Sequence, residues 1–163
     1  MNTQNSVEIS ERVRKAMEND IAYYPDEVET GGFLLGYTDS ENDRTEVIEA
    51  VDGGYNARRE ATLFAYDAEY VEHVASLTAS LYEPFLEVVG VWHKHNHYHE
   101  EDEFSQDDMK LHEEVMRCSG KNKIVSILYQ KKGDEYIFSG YIFSRGGGGE
   151  LVGRQVDTKS RRR

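Results

Sequence analysis

Residues 85–93, FLEVVGVWH, form a nearly unbroken apolar run of strand length, and the run ends on a histidine. Two other segments, GGFLLGY (31–37) and KIVSILY (123–129), have the same make-up. Such runs mark strands buried on both faces, so the sheet they build must be covered on each side by another layer. The chain has the means to cover it. Ile9, Val13, Met17 and Ile21 recur every fourth position, as on one face of a helix that Ser6 or Ser10 would cap. Val71, Val74, Leu77 and Leu81 line a second helix, opened by Asp67 and ended by Pro84. Ser105 with Asp108 three residues later opens a third, whose apolar face is Leu111, Val115 and Cys118.

TEVIEAV (45–51) and ATLFAY (61–66) read as two further strands, and YIFSGYIF (136–143) pairs with KIVSILY as a hairpin across KKGDE. The order is helix, three strands, helix, strand, helix, two strands. The expected fold class is therefore α/β (α+β), a mixed β-sheet flanked by helices, in one domain over residues 5–143. Residues 144–163 are Gly-rich and basic and have little to bury, so they are expected to form a disordered tail.

Charge and cysteine content narrow the function. Acids outnumber Lys and Arg by 31 to 19. Because residues 144–163 hold six Lys and Arg against two acids, residues 1–143 carry 13 basic against 29 acidic side chains. A phosphate backbone would be repelled by such a body, which argues against nucleic acid as a partner. No apolar run approaches the ~20 residues that span a bilayer, and the N-terminal MNTQNSVEIS lacks a signal sequence, so no membrane role is expected. With Cys118 as the one cysteine, the expectation is a soluble, cytoplasmic protein, and any metal must be held by His and carboxylates.

His93 and His95 are two apart at the end of a buried strand, so both side chains leave one face and are able to grip one ion. Asp108 lies thirteen residues beyond His95, in the first turn of the following helix, where the loop could fold back to bring it in as a third ligand. An exposed, unliganded His pair and a plain helix cap are the simpler readings of these parts. His97 and His99 offer alternative ligands but sit in a polar loop, and His73 and His112 read as surface residues of helices. Glu29 stands just before the buried strand at the mouth of the sheet, a position for a carboxylate that takes a proton rather than binds the metal. Glu27, two residues away, competes for that role.

Together, Glu29-Thr-Gly-Gly-Phe-Leu-Leu-Gly36, Gly90-Val-Trp-His93-Lys-His95 and Ser105-Gln-Asp-Asp108 resemble the signature of the JAB/MPN (JAMM) zinc metalloproteases. That signature is a Glu before an apolar strand, His-x-His-Pro, and a downstream Ser-x-x-Asp. The resemblance implies a cytidine-deaminase-like fold, a Zn2+ ion on His93, His95 and Asp108, Glu29 as the general acid/base of a zinc-bound water, and Ser105 as a donor to the oxyanion. Glu27 does not match. Asn96 stands where the family usually has Pro, Phe104 replaces a frequent Pro before the Ser, and the loop between His95 and Ser105 is longer than usual.

The Glu-Thr-Gly-Gly form looks most like stand-alone bacterial members encoded with ubiquitin-like activating and conjugating enzymes, some in anti-phage operons. The implied activity is peptidase or isopeptidase cleavage after the C-terminus of a ubiquitin-like protein or its conjugates. An acidic run, Glu100 to Glu103, would favour a basic substrate tail. The alternative is a non-catalytic scaffold of the same family that binds a ubiquitin-like protein. A zinc deaminase would need a Cys-x-x-Cys pair that Cys118 cannot supply. A cupin would draw on His93, His95 and Glu100, but the three amphipathic helices argue against its barrel of short strands.

Overall fold

The computed structural model describes residues 5–41, 43–96 and 104–161. Three strands take up the apolar runs. Strand β2 is Thr30–Asp39 and, after β1 (Ser6–Ser10) and helix α1 (Glu11–Tyr23), it is followed by β3 (Arg44–Asp52). A short ribbon, β4 (Arg58–Arg59) and β5 (Phe64–Ala65), then leads to α2 (Ala68–Ala79) and β6 (Glu87–His95). Helix α3 (Gln106–Ser119) precedes β7 (Lys123–Lys132), β8 (Glu135–Arg145) and β9 (Leu151–Arg161).

Seven of these strands close into a barrel in the order β1-β3-β2-β6-β7-β8-β9. Closure is made by β1, which pairs in parallel with β3 on one side and with β9 on the other. This corrects the expected JAB/MPN, cytidine-deaminase-like α/β sandwich, in which an open mixed sheet would lie between helices. The physical reason lies at the two ends of the chain. Residues 151–161, expected to be a disordered tail, form β9 instead, antiparallel to β8 across the turn at Gly146–Gly149 and parallel to β1. A sheet edge leaves unpaired N–H and C=O groups, and a polar segment satisfies them through its backbone without burying its side chains. Ile9, read as the first helical position, belongs to β1, and Ser10 caps α1 by accepting the Val13 N–H.

Both faces of the central strands are buried, as their composition requires. Leu34, Trp92, Val125, Ile127 and Tyr129 pack with Val13, Met17 and Ile21 of α1. The alternate residues Phe33, Leu35, Val91, Ile124 and Leu128 pack with Val71 and Ala75 of α2 and Val115 and Met116 of α3. Two expectations fail on the helices. Leu77 and Leu81 are exposed, so of the expected face α2 buries Val71, with Val74 packed partly against the core and Ala75 added, and Cys118 is exposed on α3. Residues 61–66 contribute to the barrel no strand, only β5 of the ribbon. Close strand packing needs glycine at Gly90, where an added Cβ would lie 1.9 Å from the Val125 carbonyl oxygen. Among the described residues no helix is long and apolar enough to cross a membrane.

Candidate metal centre

Strand β6 presents its residues to alternate faces, and at its C-terminal end His93 and His95 both turn toward α3. Across the sheet Gly31 of β2 is directly opposite His93, and it has no side chain to spare. An added Cβ there would lie 2.5 Å from the Trp92 carbonyl oxygen and 2.9 Å from His93 Cβ. Gly31 thus keeps the space that His93 occupies.

Asp108 arrives from the first turn of α3. Its carboxylate Oδ2 accepts the Ser105 N–H at 2.9 Å, and its own N–H donates to Ser105 Oγ at 3.1 Å, a reciprocal capping box. The cap and the candidate ligand are therefore the same side chain. It lies against both imidazoles, with His95 Nε2 at 3.2 Å from Oδ2 and His93 Nε2 at 3.7 Å from Oδ1. The two Nε2 atoms are 3.1 Å apart. Four ligands at the usual zinc–nitrogen and zinc–oxygen distances stand about 3.3 Å from one another in a tetrahedron. The His93–His95 and His95–Asp108 separations match that shell, the His93–Asp108 one is a little wider, and all three side chains are buried.

Electrostatics favour the same use. Burial disfavours the charged form of His93 and pushes its pKa down, leaving a neutral imidazole, the form that ligates. Burial opposes ionisation of Asp108 too, but the hydrogen-bonding His93 and His95 rings against it outweigh burial and hold the carboxyl below the ordinary carboxylate range. His95 Nε2 faces both His93 Nε2 and the Asp108 carboxylate, and one imidazole nitrogen cannot donate to one and accept from the other. A cation between the three donors uses every lone pair at once.

Glu29 is buried at the entrance to β2, with its N–H donating to the Glu60 carbonyl oxygen at 2.7 Å. Its Oε1 is 3.9 Å from His95 Nε2, on the edge of the cluster rather than within it. Burial raises its pKa to about 7, against the pull of His95. Ser105, exposed at the head of α3, keeps its hydroxyl hydrogen free of the cap, in which its oxygen accepts. His97, His99 and Glu100 to Glu103 lie outside the described residues, and His73 is exposed.

His112 was not legible as part of this centre and is fully buried behind it rather than on the surface. Its Nδ1 meets the Asp108 carbonyl oxygen, its Nε2 lies 2.8 Å from Ser126 Oγ, and its ring stacks on Phe143 at 4.0 Å between centroids. Burial lowers its pKa to about 4, so it backs Asp108 as a neutral ring. The signal was its spacing, since 108, 112, 115 and 116 share one face of a helix. Phe104 closes the apolar side, 5.8 Å from the His93 ring and 5.4 Å from that of His112.

No family model matches the chain, and no curated protein matches it. Its fold is similar to that of solved structures, among them the solution structure of a structural-genomics target protein from Desulfitobacterium hafniense. That likeness has a TM-score of 0.64 at 12% identity, covering 96% of this chain and 94% of the other. At such identity it concerns the fold alone.

Proposed function

We propose that this chain is a zinc-dependent peptidase or isopeptidase of the JAMM type that cuts after the C-terminus of a ubiquitin-like modifier. The observation that carries the reading is the convergence of His93, His95 and Asp108 at coordination-shell spacing, with Glu29 Oε1 3.9 Å from His95 Nε2. The signature residues of that family supply the reaction class.

Zinc held there supplies a Lewis acid and lowers the pKa of a ligating water to about 7. The rest of the work belongs to the chain. Neutral His93 and ionised Asp108 give the ion its donors without a competing proton. Glu29, with a pKa near neutrality, is able to take a proton and return it to the leaving amine at the pH where the enzyme would work. The Ser105 hydroxyl is left to donate to the developing oxyanion.

The strong acidic excess favours a substrate whose tail is basic. An extended tail needs a strand edge, which the closed barrel does not offer at β2 or β6. The β4–β5 ribbon offers one, and Glu60 at its end accepts the Glu29 N–H. Activating and conjugating enzymes of the same modifier are the partners this reading implies. A single exposed thiol fits a reducing cytoplasm.

The barrel is a feature that a cupin would share, but the three helices remain and the third donor comes from helix α3 and not from a strand, which disfavours that reading. A scaffold that only binds the modifier has no use for a buried carboxylate poised beside the donors. The test is cleavage of a ubiquitin-like fusion by the zinc-loaded chain. Cleavage that a chelator abolishes and zinc restores is expected, and binding of the fusion without cleavage favours the scaffold.

A further inference from the structure

The face of β6 opposite the ligands also carries a polar side chain that is turned away from solvent, Lys94, and half-buried Asn96 follows just after the strand. Lys94, between the two histidines, is fully buried. Its Nζ lies 2.7 Å from the Val28 carbonyl oxygen, 3.0 Å from that of Asp26 and 3.5 Å from that of Pro25. Asn96 donates from Nδ2 to the Glu27 carbonyl oxygen at 2.8 Å and to that of Ala61 at 2.9 Å. Adding the bond from the Glu29 N–H to Glu60, four successive residues, 26 to 29, are held by their backbones. The Asp26 carboxylate is fixed as well, by Lys131 at 2.6 Å and the Tyr136 hydroxyl at 2.8 Å.

Burying an ammonium costs several kcal/mol unless its donors are satisfied. Three N–H donors on Lys94 meet three carbonyls of the one segment that ends in Glu29. Asn96 occupies the place where the resembled family has Pro, and proline has no donor with which to reach that segment.

We infer that Lys94 and Asn96 are positioning residues that fix the Glu29 carboxylate beside the donor cluster, so that one strand carries the ligands on one face and the clamp of the acid/base on the other. This rests on the metal-dependent reading of the site. Period two of a strand makes the coupling direct, since a shift of β6 moves ligands and clamp together.

The test compares Lys94→Met and Asn96→Ala with the parent chain, each titrated with Zn2+ and followed by amide hydrogen exchange. Expected are retention of one zinc per chain, about tenfold faster exchange at the Glu29 amide, no change in β7 and β8, and about a tenfold loss of kcat on a ubiquitin-like fusion at unchanged KM. Asn96→Ala removes no buried charge, so it keeps the comparison open if Lys94→Met does not fold. Unchanged exchange at Glu29, loss of zinc, or faster exchange throughout the barrel overturns the inference. If the parent binds zinc and cuts no fusion, the proposed activity fails, and the exchange comparison still decides the clamp.

Discussion

Glu29 Oε1 stands 3.9 Å from His95 Nε2, whereas Asp108 Oδ2 stands 3.2 Å from the same atom. The two carboxylates are thereby divided between roles. Asp108 is within the shell of donors and is held ionised by two imidazoles, while Glu29 is outside it and its ionisation is disfavoured by burial. An environment that drives two neighbouring carboxyl groups apart in pKa separates a ligand from an acid/base.

Asp108→Asn keeps the shape of the capping box but removes the anionic donor. Zinc affinity is expected to fall by at least about a hundredfold while the helix remains, read by metal titration beside circular dichroism. Affinity within a few fold of the parent would exclude Asp108 from the shell.

Ser105→Ala separates the two duties of the serine. Loss of the cap is expected to cost about 1 kcal/mol in urea unfolding. Loss of an oxyanion donor is expected to lower kcat by about 10²–10³ at unchanged zinc content. A stability loss with full activity would leave Ser105 as a cap alone.

Gly31→Ala would push a methyl group against the Trp92 carbonyl and His93 Cβ. The neighbours include backbone and cannot yield, so a loss of roughly 1–3 kcal/mol in stability and weakened zinc binding are expected. Calorimetric unfolding and metal titration read both.

Stability of the metal-free chain should depend on Glu29 in a definite direction. Its folded pKa, about 7, exceeds the 4.5 of the free side chain, so the folded state binds the extra proton in between. The stability that this extra proton contributes is therefore fully present below about 4.5 and is lost as pH rises through 7. Glu29→Gln removes the titration. It is expected to make the metal-free chain about 1–2 kcal/mol more stable than the parent at pH 8, with little difference at pH 4, in urea unfolding. Zinc, which favours the anion, should abolish the difference.

Much of the site was legible because its parts obey short-range rules. Two histidines two apart on an apolar strand share a face, and Ser105 with Asp108 announces both a helix start and a placed carboxylate. The barrel was not legible, because β1 is only five residues long, β9 is mostly polar and exposed, and the two are joined by backbone pairing between residues at opposite ends of the chain. His112 and Lys94 escaped for a related reason. Both are polar residues whose burial depends on partners distant in sequence, Ser126 for one and Val28 for the other. Exposed Leu77 and Leu81 show the converse, since periodicity marks a helix face without stating how far the layer beneath it extends.

The most direct test of the central claim is cleavage of a ubiquitin-like fusion by the parent and by Glu29→Gln, with zinc content measured on the same samples. The account predicts one zinc per chain in both and a fall in kcat of about 10²–10⁴ in the variant. Equal cleavage by the two proteins at equal zinc would contradict it.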